Sequence, residues 1–415
     1  MKDIVPGEMD TWHAFERMTR QFLEAYGFRE IRTPILESTE LFTRSIGEAS
    51  DIVHKEMYTF EDRGGRSLTM RPEMTASVVR AVLEHHLIKQ NEPLFLYYFG
   101  SMYRAERPQA GRKREFYQVG VETLNTHSHE NDAELMTMIK SYLEWLGLSR
   151  FTIKLNHLGS VKDRKEYAQT LTDFFTAHQK ELCADCQFRL VKNVLRIFDC
   201  KVNECQPVIA RAPEIELSKE TREDFEKIQK LLKDAKVPFR LEPKLVRGLD
   251  YYTGCVYEVT AEGLGAQDAL LAGGRYDQLI ESLGGPKIGA SGFALGVERL
   301  LMVLEANKID LAKTVRQNTV YVAAVAKGNS SCDFYRAIAR SLAEANKRAH
   351  FSFSSKSIGH HLKQANQMEA GFSILVGEDE FQSGEMTLKD MASGTQKRLK
   401  PSELRKAFDS YAENP

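Results

Sequence analysis

Met9, Trp12, Phe15, Met18, Phe22, Leu23 and Tyr26 recur at near-helical spacing and stop at Gly27, which predicts a helix over 9–26. An extended segment follows over 28–36 with Pro34 inside it, and proline in a strand implies an edge or an interface position. The stretch TMRPEMTASVVRAVLEHHLI (69–88) predicts a short strand and a proline-initiated helix whose apolar side carries Val78, Val79, Val82 and Leu83. Two arms dense in Tyr, Phe and Val, 95–103 and 115–124, flank a turn-rich segment with Pro108 and Gly111, the pattern of an antiparallel hairpin with a long tip. A helix over 131–147 and a strand over 151–156 lead into charged, helix-rich sequence from about 161 to 238. Strands return at Leu245 with VRGLDYYTGCVYEVTAE and LLAGGRYDQLIESLGG, and GASGFALGVERLLMVLE then runs into a helix. A polar linker is expected near 310–318. Beyond it TVYVAAVA, DFYRAIARSLAEANKRA, FSFSS, a helix near 359–369 and FSILVG alternate strand with helix, which argues a separate small parallel α/β domain.

Composition narrows the class without choosing a function. At 415 residues, with 42% hydrophobic and 28% charged positions, the chain has the make-up of a soluble globular protein of two or three domains. A net charge of −1 excludes a generally basic nucleic-acid coat and leaves local patches open. The start, MKDIVPGEMDTWHAF, has no apolar h-region and no run has the length of a membrane span, so a cytoplasmic protein with no membrane partner is expected. Its six cysteines need not then be disulfides. Cys183, Cys186, Cys200 and Cys205 form C-x2-C-x13-C-x4-C, while Cys255 and Cys332 stand alone. Two close pairs at that separation fit a tetrahedral thiolate zinc site; four small buried side chains in a compact helical module fit as well.

The hairpin tip crowds Arg104, Arg107, Arg112, Lys113 and Arg114. Cations so close repel one another unless a polyanion lies among them, and the planar guanidinium suits phosphate better than a flexible ammonium does. Arg71-Pro72-Glu73 with Thr75 sets a carboxylate and a hydroxyl where a strand becomes a helix, able to complement the helix dipole or to accept from a substrate ammonium. Arg247 to Gly254 and Gly273 to Asp277 combine glycines with tyrosines, allowing close backbone approach and a hydroxyl lining for a small polar ligand. Together these point to one nucleotide pocket, and neither glycine-rich segment matches the phosphate-loop or dinucleotide fingerprints.

The segment Tyr103-Arg104-Ala105-Glu106, the terminal Gly292–Leu300 (GFALGVERL) and the helix–strand–proline of 9–34 resemble motifs two, three and one of class II aminoacyl-tRNA synthetases. Arg71–Thr75, LVRGLDYYTG (245–254), GGRYDQL (273–279), RPQAGRKREFYQ (107–118) and VGEDEFQSGEMTLKD (376–390) resemble the histidyl-tRNA synthetase family within that class. The likeness covers essentially the whole chain. It implies an α+β architecture: a catalytic domain over 1–315 built on an antiparallel sheet with helices, a helical insertion at about 161–238, and a C-terminal α/β anticodon-binding domain over 319–415.

It also implies histidine–tRNA ligase activity in a homodimer, with tRNA and L-histidine as partners, ATP as substrate and Mg2+ on the pyrophosphate moiety. Carried onto this chain, Arg104 contacts the α-phosphate, Glu106 reads the adenine amino group, Phe116 and Arg299 sandwich the adenine and Arg112 holds the γ-phosphate. Glu73, Thr75 and Gln118 take the histidine α-amino group; Glu122 and Tyr252 take the imidazole nitrogens, with Tyr251 beside them. Arg247 bridges the histidine carboxylate and the α-phosphate, and with Arg104 forms the catalytic pair. The family's cysteine-bearing insertion does not generally demand zinc, so no metal ligand is assigned. A synthetase-like regulatory subunit that has lost its ATP-site arginines is a poorer fit, because Arg104, Arg112, Arg247 and Arg299 are all present. A class II synthetase for another amino acid is disfavoured by LDYYTG.

Overall fold

The computed structural model describes residues 3–47, 50–90, 92–106, 111–126, 128–262, 269–325 and 331–412. Arg107, Pro108 and the side chain of Cys332 lie outside that description. Two compact units are present: one spans Thr19–Ile309, and the other gathers Ile4–Met18 with the chain from Asp310 onward.

The first unit is built on an eight-stranded sheet in the order Arg29–Glu30, Leu94–Tyr103, Glu115–Leu124, Ala290–Gly296, Ala269–Arg275, Thr253–Ala261, Phe151–His157, Phe239–Leu241. The outermost pairing at each edge is parallel and every pairing between them is antiparallel. The hairpin arms form where the aromatic and β-branched density predicts, ten residues each, paired from Leu94↔Leu124 to Tyr103↔Glu115. Tyr97 and Tyr98 are adjacent and both buried, so both faces of this arm are covered. One face packs against Val78, Val79 and Val82 of the helix Thr75–Glu84.

Some expectations shift. That helix starts at Thr75 and not at Pro72, because the Glu73 carboxylate accepts from the backbone N–H of Thr75 (2.7 Å) and Ala76 (3.0 Å) and so caps it two residues later. Around Pro34 the extended segment gives only the short strands Arg29–Glu30, at an edge of the large sheet, and Leu36–Ser38, in a three-stranded sheet. No strand forms over 245–252; the strand begins at Thr253. The insertion is helical as expected, with Val161–Ala177, Ala184–Lys192, Gln206–Arg211 and Lys219–Asp234.

In the second unit the expected linker contains a helix, Lys313–Gln317. A five-stranded sheet follows, of which Arg348–Ser352, Thr319–Ala324 and Phe372–Val376 are parallel. Met386–Asp390 and Gln396–Leu399 extend it antiparallel, so the α/β domain is mixed rather than parallel. Its own core includes Val320, Val322, Ile338, Ile374, Met386 and Leu404.

Candidate active site

Three neighbouring strands set the floor. Glu122 of Glu115–Leu124 registers with Gly292, which registers with Gly274. A Cβ on Gly292 would lie 2.3 Å from Glu122 Oε2 and 2.2 Å from the Val121 carbonyl, so only glycine leaves room for that carboxylate. Glu122 is 1% exposed. Thr75 Oγ1 donates to its Oε1 (2.7 Å) and the Tyr276 hydroxyl donates to its Oε2. Burial dominates over those donors and pushes the Glu122 carboxyl up to about 8. Glu73, also buried, is raised by desolvation against the pull of its two backbone donors and of the Arg104 charge.

Aromatic rings close the wall. Tyr251 and Tyr252 lie 4.8 Å apart by centroid, and Tyr251 meets Tyr276 edge-on at 5.7 Å. The Tyr251 hydroxyl points to Glu73 Oε2 at 3.5 Å. Burial lifts Tyr252 to about 12 although the Arg247 charge opposes it, so these hydroxyls stay protonated donors at neutral pH. Gln118 Oε1 and Arg247 Nε are buried and have no hydrogen-bond partner among the described residues. Unpartnered polar atoms cost free energy in an empty pocket and are met when a polar ligand enters.

Beside this wall the loop end of the hairpin gathers charge. Arg104 Nε donates to the Pro72 carbonyl (2.9 Å), and its guanidinium lies over the Phe116 ring at 5.3 Å. Arg112 faces Glu106 (2.8 Å) and Lys113 faces Glu298 (3.6 Å). Arg299 donates to the carbonyls of Gly111 (2.9 Å) and Ala269 (2.8 Å); desolvation first, then repulsion from Arg112, lowers its pKa. Arg247 pairs with Glu258 at 2.9 Å, and Lys154 shares that carboxylate at 3.6 Å. The structure thus brings Glu73, Thr75, Glu122, Tyr251 and Tyr252 into one polar pocket. Arg104, Glu106, Arg112, Phe116 and Arg299 cluster at the loop end of the hairpin, while Gln118 and Arg247 each present an unpartnered atom.

Tyr276 and Glu258 had no assigned part, although both stand in quoted segments: Tyr276 in GGRYDQL, and Glu258 as the lone charge in the apolar run CVYEV. The Arg275 beside Tyr276 is a brace, bonded to Asp132 (2.8 and 3.0 Å) and Asp277 (3.0 Å). The insertion, which the resemblance sets over the acceptor stem of tRNA, also holds the 247–252 loop. Arg164 donates to the Tyr252 carbonyl (2.7 Å), Asn193 to Asp250 (2.9 Å) and Arg196 to the Arg247 carbonyl (2.9 Å). A cleft of about 410 Å³ runs between these supports, lined by Arg164, Lys192, Asn193 and Thr253.

Residues 1–300 match the family model for histidyl-tRNA synthetase, and residues 319–411 match a model for an anticodon binding domain. Proteins described as histidine–tRNA ligase from Natranaerobius thermophilus and Geobacillus sp. are 42% and 43% identical, each over 95% of this chain and 94% of their own. The solved structure of apo Staphylococcus aureus histidyl-tRNA synthetase covers 98% of both chains at 33% identity, with a TM-score of 0.76. That of Nostoc sp. PCC 7120 shares the fold at 20% identity and a TM-score of 0.67, covering 99% of this chain and 98% of its own. With two thirds of its length under one family model and near-complete overlap with these relatives, the chain belongs to the histidyl-tRNA synthetase family.

Proposed function

We propose that this protein is a histidine–tRNA ligase, which activates L-histidine with ATP and passes it to the 3′ end of tRNA. The observation that carries the reading is a buried pair of carboxylates, Glu73 and Glu122, walled by tyrosines and set beside the arginine-rich loop end of the hairpin. Glu122 and Tyr252 take the imidazole nitrogens, with Tyr251 and Tyr276 packed around them. Glu73, Thr75 and Gln118 take the α-amino group. An analogue lacking one ring nitrogen leaves a buried group unpaired and is rejected.

Arg104 takes the α-phosphate, Arg112 the γ-phosphate, Glu106 the adenine amino group, and Phe116 with Arg299 the adenine ring. The histidine carboxylate oxygen attacks the α-phosphorus in line and pyrophosphate leaves, so no protein nucleophile is needed. Arg247 sits between carboxylate and phosphate and stabilises the spreading negative charge. The terminal ribose hydroxyl of tRNA then attacks the adenylate carbonyl. Magnesium suits oxygen donors and keeps several waters. The carboxylates of this cluster, Glu106, Glu258 and Glu298, each face a side-chain cation and form no open cage, so magnesium would enter on the nucleotide phosphates and take its remaining oxygens from water.

Residues 1–315 would perform this chemistry and 319–415 would read the anticodon. A homodimer in the cytoplasm completes the proposal; Leu36 and Phe60 on the three-stranded sheet and Ile35 just before it, each more than 40% exposed, offer apolar surface for a second copy. No helix among the described residues is long and apolar enough to cross a membrane. ATP–pyrophosphate exchange with each amino acid in turn tests the reading. Exchange with histidine alone supports it, and no exchange by folded protein overturns it.

A further inference from the structure

The four cysteines of the insertion converge from separate elements. Cys183 precedes the helix Ala184–Lys192, Cys186 lies in its first turn, Cys200 follows the 3-10 segment Val194–Asp199, and Cys205 ends Asn203–Cys205. Their sulfurs all lie within 4.8 Å of one another, with Cys183 and Cys200 at 3.9 Å. Four sulfurs at about 2.3 Å from a central zinc stand roughly 3.8 Å apart in a tetrahedron, so the cluster is at ligating size and needs only slight contraction. Two backbone amides already point at sulfur: Cys183 N–H at Cys205 Sγ (3.2 Å) and Val202 N–H at Cys200 Sγ (3.4 Å). Such donors stabilise thiolates, and the protein supplies a full ligand set with no place left for water or substrate.

The surrounding module packs Leu190, Ile197 and Val208 into the core but has little regular secondary structure. Between 178 and 212 the chain runs through short 3-10 pieces and helices of nine and six residues. Short elements with little regular hydrogen bonding gain most from a cross-link that orders them at one point.

We propose that Cys183, Cys186, Cys200 and Cys205 bind one structural Zn2+ ion that closes the segment 183–200 into a rigid loop. The thiols give their protons to solvent as four Zn–S bonds form, leaving a dianionic centre with Arg189 one turn along the helix from Cys186. The closed segment carries Asn193 and Arg196, which hold Asp250 and the Arg247 carbonyl. The ion therefore acts at a distance as a positioning element for the loop that bears Arg247, Tyr251 and Tyr252.

The test is metal analysis of the full-length protein purified without chelator, with X-ray absorption at the zinc edge. One equivalent of zinc in an all-sulfur shell, and a thiolate-to-cobalt charge-transfer band after exchange with Co2+, are expected. Cys200→Ser should lose both and Cys255→Ser should keep both. Should the serine variants fail to fold, the spectra of the unmodified protein decide. Substoichiometric zinc with no uptake from added Zn2+, or a Cys183–Cys200 disulfide in a peptide map, overturns the proposal. Removing the metal with a mercurial should speed hydrogen exchange over 183–205 and 247–252 and raise the histidine KM by roughly tenfold, the effect of about 1.4 kcal/mol. That last readout alone rests on the function proposed above; exchange activity absent with zinc in place would count against the function and leave the site standing.

Discussion

Glu122 is where the pocket's electrostatics can be tested without substrate. Its carboxyl rises from the ordinary 4.5 to about 8 because burial outweighs the donors Thr75 and Tyr276. At 1.36 kcal/mol for each tenfold change, holding it charged at high pH costs roughly 5 kcal/mol. Between about pH 4.5 and pH 8 the unfolded chain has released this proton while the folded chain keeps it. The folded state therefore binds more protons, and stability falls as pH rises through that window and levels above it. Glu122→Gln removes the titration while keeping the shape and an acceptor for one of the two donors. Its fixed cost, about 1–3 kcal/mol for an imperfectly met buried amide, shifts stability equally at every pH. The difference in slope is then the readout. Urea unfolding of both proteins without histidine at pH 5, 6.5 and 8.5 should show the unmodified chain losing several kcal/mol more than the variant. Parallel profiles would refute the claim that Glu122 is held protonated by burial.

Arg247→Ala should depress ATP–pyrophosphate exchange by about 100- to 1000-fold, the usual effect of losing one preorganised charge in the transition state. Histidine affinity by calorimetry should change far less, and comparable losses in both would sink the bridging role. A paired Glu258→Gln variant separates this from the effect of leaving Glu258 with Lys154 as its one remaining cation. Gly292→Ala forces a Cβ to 2.3 Å from the Glu122 carboxylate; about 1–3 kcal/mol of stability and most histidine binding should go, measured by thermal unfolding with and without histidine. Arg275→Ala strands Asp132, which is 4% exposed, and should destabilise by about 3–5 kcal/mol in denaturant titration, whereas the exposed pair Arg336–Asp333 should be worth under about 1 kcal/mol.

Local pattern carries the hairpin arms and the C-terminal strands because each is set by its own residues, aromatic and β-branched runs bounded by glycine or polar turns. It misplaces the start of the helix at Thr75, since what ends the preceding turn is a side chain, Glu73, folding back on two amides. It has strands return at Leu245, where Leu, Val and two tyrosines stand together, and sets 247–254 between strands without saying what holds it there. Yet that loop is held by Arg164, Asn193 and Arg196, some 50 to 90 residues earlier in the chain, and no local window contains them.

The glycines show the same division between local and distant information. Their bunching signals close approach, but not what approaches. Register supplies that: Gly292 lies opposite Glu122 on one side and Gly274 on the other, so the absent side chain of Gly292 becomes space for the carboxylate while that of Gly274 leaves room for the Cys255 carbonyl and the Tyr252 ring. Tyr276 reaches the same carboxylate from just beyond the strand that carries Gly274. A pocket of this kind is assembled from chain segments more than a hundred residues apart, each ordinary in isolation. Under the function proposed above its selectivity lies in the match between them: one buried acid, raised by burial and met by two hydroxyls, is set to pair with a ring nitrogen of the substrate. On that reading a substrate side chain without a matching ring nitrogen leaves a buried polar group unpaired, and the cost of that desolvated, unpaired group is what rejects it.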